Sequence, residues 1–153
     1  MQALELKLPP PLIASLAGLG MWLTSQQTPE LTLLWRWHLE IACLLALSGG
    51  LFDISGALAF YKFRTTINPL KPANTSAMVT CGVYRYSRNP MYCGLLLMLC
   101  GWAIYLSHPL AFLGLPAFVA YLNRFQIIPE ERVLSEKFGA EYAAYCNSVR
   151  RWL

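Results

Sequence analysis

Two stretches hold most of the polar chemistry of this chain: Tyr84-Arg85-Tyr86-Ser87-Arg88-Asn89-Pro90-Met91-Tyr92, and Glu130-Glu131 followed by Tyr142, Tyr145, Arg150 and Arg151. Together they offer arginines, carboxylates and phenols, without a thiol–histidine pair, a metal cluster or a glycine-rich phosphate loop. Such a set suits a ligand of mixed charge. Arginine clamps a carboxylate through two parallel bonds, a glutamate accepts hydrogen bonds from ribose hydroxyls, and tyrosine rings face a cation. S-adenosylmethionine has all three features. A plainer reading of the same residues puts the arginines on lipid headgroups and the glutamates at a helix start, where the helix dipole favours negative charge.

The elements that must position these residues are apolar. Of 153 residues, 56% are hydrophobic and 13% charged, with a mean hydropathy of +0.42, against roughly a quarter charged in an ordinary soluble domain. This composition predicts an all-α integral membrane protein. A spanning helix takes about 20 residues, so about four spans fill much of a single membrane domain, 1–153, and leave no room for a separate soluble catalytic domain. The net charge of +4 comes mainly from the stretch between Lys62 and Met91, which has Lys62, Arg64, Lys71, Arg85 and Arg88 but no Asp or Glu. It reads as an orientation signal and a contact for membrane lipids, and no nucleic acid partner is expected. Cys43, Cys81, Cys93, Cys100 and Cys146 form no C-x-x-C pair and have no histidine at ligand spacing, so neither a metal site nor a disulfide framework is expected. Glu5 and Lys7 before Pro9-Pro10-Pro11 disfavour a cleaved signal peptide.

The expected spans are residues 8–24, 35–61, 91–106 and 109–128, with the third and fourth forming a tight hairpin whose tip is Ser107-His108-Pro109. The lysine and arginine balance puts the basic loop, 62–90, in the cytoplasm. With four crossings the N-terminus and the C-terminal segment share that side, so an active site built from loop and tail faces the cytoplasm. The tail, 129–153, reads as a cytosolic amphipathic helix starting at Pro129. Leu134, Phe138, Tyr142, Tyr145 and Val149 lie on one face, Glu136, Lys137 and Glu141 on the other, and Gly139 weakens or interrupts it. Asp53 sits deep in the second span, open to a packing or a ligand role. Arg124 reads as a snorkelling residue and His108 as a turn residue.

Gly82-Val83-Tyr84-Arg85-Tyr86-Ser87-Arg88-Asn89-Pro90-Met91-Tyr92, an apolar hairpin, then Glu130-Glu131, Phe138-Gly139, Tyr142, Tyr145 and Arg151-Trp152 resemble, in that order, the isoprenylcysteine carboxyl methyltransferase family and its short prokaryotic-type members. Upstream, Phe63-Arg64-Thr65-Thr66-Ile67-Asn68-Pro69 also looks like those short members, and membrane phospholipid N-methyltransferases are similar more distantly. The resemblance implies a membrane enzyme that takes S-adenosylmethionine as cofactor and methylates a small or lipophilic acceptor entering from the bilayer. It implies catalytic roles for Arg88, Glu130 and Glu131, and cofactor contacts from Tyr84, Arg88, Asn89, Pro90, Tyr92, Glu130, Glu131, Tyr142 and Tyr145. The eukaryotic enzymes usually carry His where this chain has Asn89, and they have further N-terminal spans. A carboxylate acceptor, ionised at neutral pH, needs no general base, whereas an amine or thiol would need Glu130, Glu131 or a tyrosine to take its proton. Two other classes fit the composition: an NADPH-dependent membrane reductase, for which no clear phosphate site is present, and a non-enzymatic membrane scaffold.

Overall fold

A computed structural model describes residues 5–33, 35–62 and 78–153. The Phe63 to Pro69 motif and Lys71 of the basic loop lie outside these residues. The described chain is all helical, with five helices: α1 Pro10–Gln27, α2 His38–Lys62, α3 Pro90–Leu106, α4 Gly114–Leu122 and α5 Ile128–Ser148. Prolines open two of them. Pro10 and Pro90 occupy first helical turns, where a missing N–H costs no intrahelical bond. α3 ends at Ser107, whose left-handed backbone (φ 51°) lets its amide reach the carbonyls of Ala103 and Ile104.

By length and composition, α2 and the continuous helical path Pro109–Ser148 are long and apolar enough to cross a membrane, while α3, with 17 residues, is shorter. The fourth span was expected to give way to a new helix at Pro129. The path instead runs on through a π-helical turn, Asn123–Ile127, straight into α5. Pro129 has no N–H to give the Phe125 carbonyl four residues back, and the Leu6 amide bonds that carbonyl at 3.0 Å. Gly139 does interrupt α5, with φ 51° and ψ −120°. Helix ends at Ser148, short of the expected 153, and the last residues turn back in extended form.

α2 and α3 lie side by side because their contact is made of glycines. A Cβ added at Gly49 would sit 2.5 Å from the Gly94 carbonyl, and one at Gly101 would sit 2.7 Å from that of Ala42. Asp53 lies in this seam with its Oδ1 against Gly94, that oxygen buried and without a hydrogen-bond partner among the described residues. On the other side of α3, α1 packs against α3 and α4 through Met21, Leu99, Ala103, Phe118 and Leu122. The Trp102 indole N–H donates to the Gly18 carbonyl at 2.9 Å.

Side-chain bonds close both ends of the bundle. At one end His108, fully buried, uses Nε2 to reach the Thr28 carbonyl at 2.9 Å, and Leu33 N donates to Ser107 O at 2.8 Å. His108 is thus more than a turn residue: it ties the hairpin tip to the end of α1. At the other end Glu5 pairs with Arg124 at 3.0 Å and Arg132 at 3.6 Å. Arg124 therefore has a protein partner where a lipid-facing, snorkelling role was expected.

Candidate active site

The first half of the site follows from the turn before α3. A 3-10 turn, Gly82–Arg85, begins at Gly82 with φ 62° and sends Tyr84 inward, where its ring meets Phe60 of α2 edge-on with centroids 5.4 Å apart. Ser87, fully buried, accepts the Asn89 amide at 3.0 Å and so tightens the turn that delivers Arg88 and Asn89 to the start of α3. Arg85 and Tyr86 remain exposed.

The second half comes from the first turn of α5. Arg88 Nη2 pairs with Glu131 Oε1 at 3.2 Å, its Nη1 donates to the Cys146 sulfur, and its Nε is buried without a partner among the described residues. Glu131 also takes a two-pronged contact from Arg151, Nε to Oε1 at 3.0 Å and Nη2 to Oε2 at 2.7 Å. This fork holds Arg151 more firmly protonated than usual. Glu131 is thus committed to two guanidinium groups. Glu130 has different neighbours: its Oε1 accepts from Tyr92 Oη at 2.8 Å and from Gln126 Nε2 at 2.9 Å. Burial pushes its carboxyl up from 4.5 to about 7, against the opposing pull of those two donors.

Tyr142 and Tyr145 turn inward from α5, with centroids 6.4 Å apart, and Tyr145 Oη donates to the Tyr84 carbonyl at 2.7 Å. Burial raises all three phenols well above their ordinary value; for Tyr84 the neighbouring Tyr145, Glu130 and Asp53 add to it. They stay neutral donors at any physiological pH. Asn89 gives its side chain to the Arg151 carbonyl at 2.9 Å, and Pro90 is buried as the first residue of α3. The residues expected from the sequence therefore gather at one end of the bundle.

Others at this end were not expected as part of it. Gln126 stands four residues before Glu130 on the helical path, a spacing readable in advance. Cys146 stands four after Tyr142 in the same way. Asn123, which accepts the Trp152 indole N–H at 3.1 Å, stands with Arg124 one turn inside the cytoplasmic end of the expected fourth span, a polar residue at membrane depth.

Glu130 makes stability pH-dependent in a defined direction. Its folded value lies above its unfolded one, so the folded chain binds more protons between them. Its stabilising contribution is present below about 4.5 and is lost as pH rises through about 7. In detergent, Glu130→Gln should remove this loss, so that the difference in thermal midpoint between variant and parent widens in the variant's favour from about pH 5 to 8. A constant difference across that range would mean that Glu130 is ionised throughout.

A helical bundle of membrane type, with arginines, paired glutamates and buried phenols at one end, is the class that fold and site define. The chain belongs to the phospholipid methyltransferase family, whose model matches residues 37–141. It is 49% identical over 63 residues to an uncharacterised protein of Haemophilus influenzae, a match covering 41% of this chain and 100% of that one. It is 41% identical over 75 residues to protein-S-isoprenylcysteine O-methyltransferase A of Arabidopsis thaliana (47% of this chain, 36% of that one). To the Saccharomyces cerevisiae protein-S-isoprenylcysteine O-methyltransferase it is 33% identical over 113 residues, covering 71% and 46%. The chain thus spans less than half the length of these two methyltransferases. No solved structure matches.

Proposed function

We propose that this protein is an S-adenosylmethionine-dependent methyltransferase of the membrane, acting on a small or lipophilic acceptor. The observation that carries the reading is the meeting of Arg88 and Tyr92 with Glu130 and Glu131 around a guanidinium whose Nε is buried and unsatisfied. A buried donor without a partner costs about 1–3 kcal/mol, and an anionic ligand oxygen would satisfy it. The residues fit the cofactor's chemistry: Arg88 for its carboxylate, Glu130 as an acceptor for hydroxyls, Tyr142 and Tyr145 as ring faces for a cation. When bound, S-adenosylmethionine supplies a methyl group on a sulfonium.

The protein's own contribution is binding, orientation and exclusion of water. Glu131, bound by Arg88 and Arg151, is an anchor for those arginines. Glu130 is the group able to hold or take a proton near neutrality. The relatives' names give oxygen as the acceptor atom, and a carboxylate oxygen, which needs no such help, is the acceptor we favour. We further propose one membrane domain, 1–153, of about four crossings, with spans three and four as a hairpin and this site facing the cytoplasm on the side of the basic loop.

The test is calorimetric titration of S-adenosylmethionine, and separately NADPH, into detergent-purified protein. Saturable S-adenosylmethionine binding, lost in Glu130→Ala, is the expected result. Binding of NADPH alone would make the protein a reductase, and binding of neither would make it a scaffold.

A further inference from the structure

After α5 ends, the backbone turns extended at Val149 (φ −130°, ψ 134°) and runs back as a strap across the site. Its carbonyls are taken up one after another by the turn that carries Arg88. Arg88 N donates to Arg150 O at 2.9 Å, Asn89 Nδ2 to Arg151 O at 2.9 Å, and Ser87 Oγ to Arg151 O at 3.4 Å. Cys93 Sγ lies 3.6 Å from Trp152 O. Trp152 itself packs on the hydrophobic core and donates its indole N–H to Asn123 Oδ1 at 3.1 Å. Asn123 opens the π turn whose Gln126 bonds Glu130.

π turns inside α-helices are rare and concentrate at functional sites. Here the turn is held from two sides. Leu6 N takes the Phe125 carbonyl that Pro129 cannot serve, with Glu5 pairing Arg124 alongside, and Trp152 holds Asn123. Trp152 is therefore a strut linking the two halves of the site: the carbonyls of Arg150 and Arg151 just before it hold the turn that opens α3, and its own ring holds the turn that aims Gln126 at Glu130.

We infer that Trp152 is a positioning residue of this site, setting the placement of Glu130 relative to Arg88 through its bond to Asn123. This rests on the methyltransferase reading for its functional consequence but not for its geometry. Trp152→Phe keeps an aromatic ring against the core and removes one hydrogen bond, so it should leave the fold standing while loosening the site.

Two readouts test it, each on the full chain in detergent, with Trp152→Phe, Asn123→Ala and the double variant. The first is S-adenosylmethionine affinity by calorimetry. Each single variant should bind about tenfold more weakly, and the double variant no more weakly than either, because residues in one link act non-additively. Unchanged affinity in both, or losses that multiply in the double variant, would overturn the inference. The second readout needs no ligand. Glu130 is faced by Tyr92 from α3, by Gln126 from the π turn, by Glu131 beside it and by Tyr84 from the loop. Losing Gln126 as a donor removes one of the two bonds that lower its value, so the upper end of the pH range over which stability falls should move upward in Trp152→Phe. If the parent protein binds no S-adenosylmethionine, the methyltransferase reading fails and this second readout decides: an upward move sustains the strut and an unmoved range removes it. Asn123→Ala serves alone should Trp152→Phe not fold.

Discussion

Arg88→Ala is expected to weaken S-adenosylmethionine binding at least about thirtyfold, with helix content unchanged. Hydrogen bonds to charged groups are worth about 1.5–3 kcal/mol, and roughly 2 kcal/mol corresponds to that factor. The effect is large because Arg88 serves three directions at once: Glu131, Cys146 and the unfilled Nε direction. Removing it also leaves Glu131 to Arg151 alone, so the anchor that holds the strap against α5 loosens. Arg88→Lys keeps the charge and loses the planar fork, and should recover only part of the affinity. Full recovery with lysine would mean that the ligand feels a point charge, and undiminished binding with alanine would remove Arg88 from the site. The reading uses calorimetric titration of parent and variants at one salt concentration.

The second large effect lies in the membrane seam. Gly94→Ala should lower the thermal midpoint by about 6 °C or more, the equivalent of about 3 kcal/mol for a chain of this size, at the upper end of what overpacking usually costs. The added methyl would fall on Asp53 Oδ1 and 2.6 Å from the Gly49 carbonyl, a backbone atom that cannot swing aside. α2 and α3 would have to part, and Gly49 and Gly101 would lose their close contacts with them. Gly50→Ala is the control, since nothing lies within 4 Å of its added carbon. Thermal unfolding followed by tryptophan fluorescence in detergent distinguishes them; equal midpoints would mean that the seam is looser than its glycines indicate.

Much of the fold was legible because the chain punctuates itself with proline and glycine. Pro90 marks the start of α3, Ser107-His108-Pro109 its end, and Gly139 the break in α5. The expected second span, 35–61, and α2, His38–Lys62, differ by a few residues only. Pro129 misled for an instructive reason. A proline usually begins a helix or breaks one, and its effect on the preceding carbonyls can be absorbed only when another part of the chain supplies a donor. That donor is Leu6, far away in sequence, which no local pattern announces. The residues that gather at this end were legible by type but not by division of labour. Glu130 and Glu131 are adjacent and chemically identical, yet Glu131 faces two guanidinium groups and Glu130 a phenol and an amide.

What the sequence determined by itself was an apolar helical chain, the family its ordered motifs resemble, and the two short stretches where polar side chains concentrate. These depend on composition and on local spacing, which are carried along the chain. The tertiary structure alone decided that Glu131 meets two guanidinium groups while Glu130 is buried against a phenol and an amide, that Gly94 meets Asp53, and that the last residues strap the start of α3 to the π turn. Each of these depends on which groups from distant segments come within a few ångströms, because burial and hydrogen bonding, rather than residue type, set the charge and freedom of a side chain.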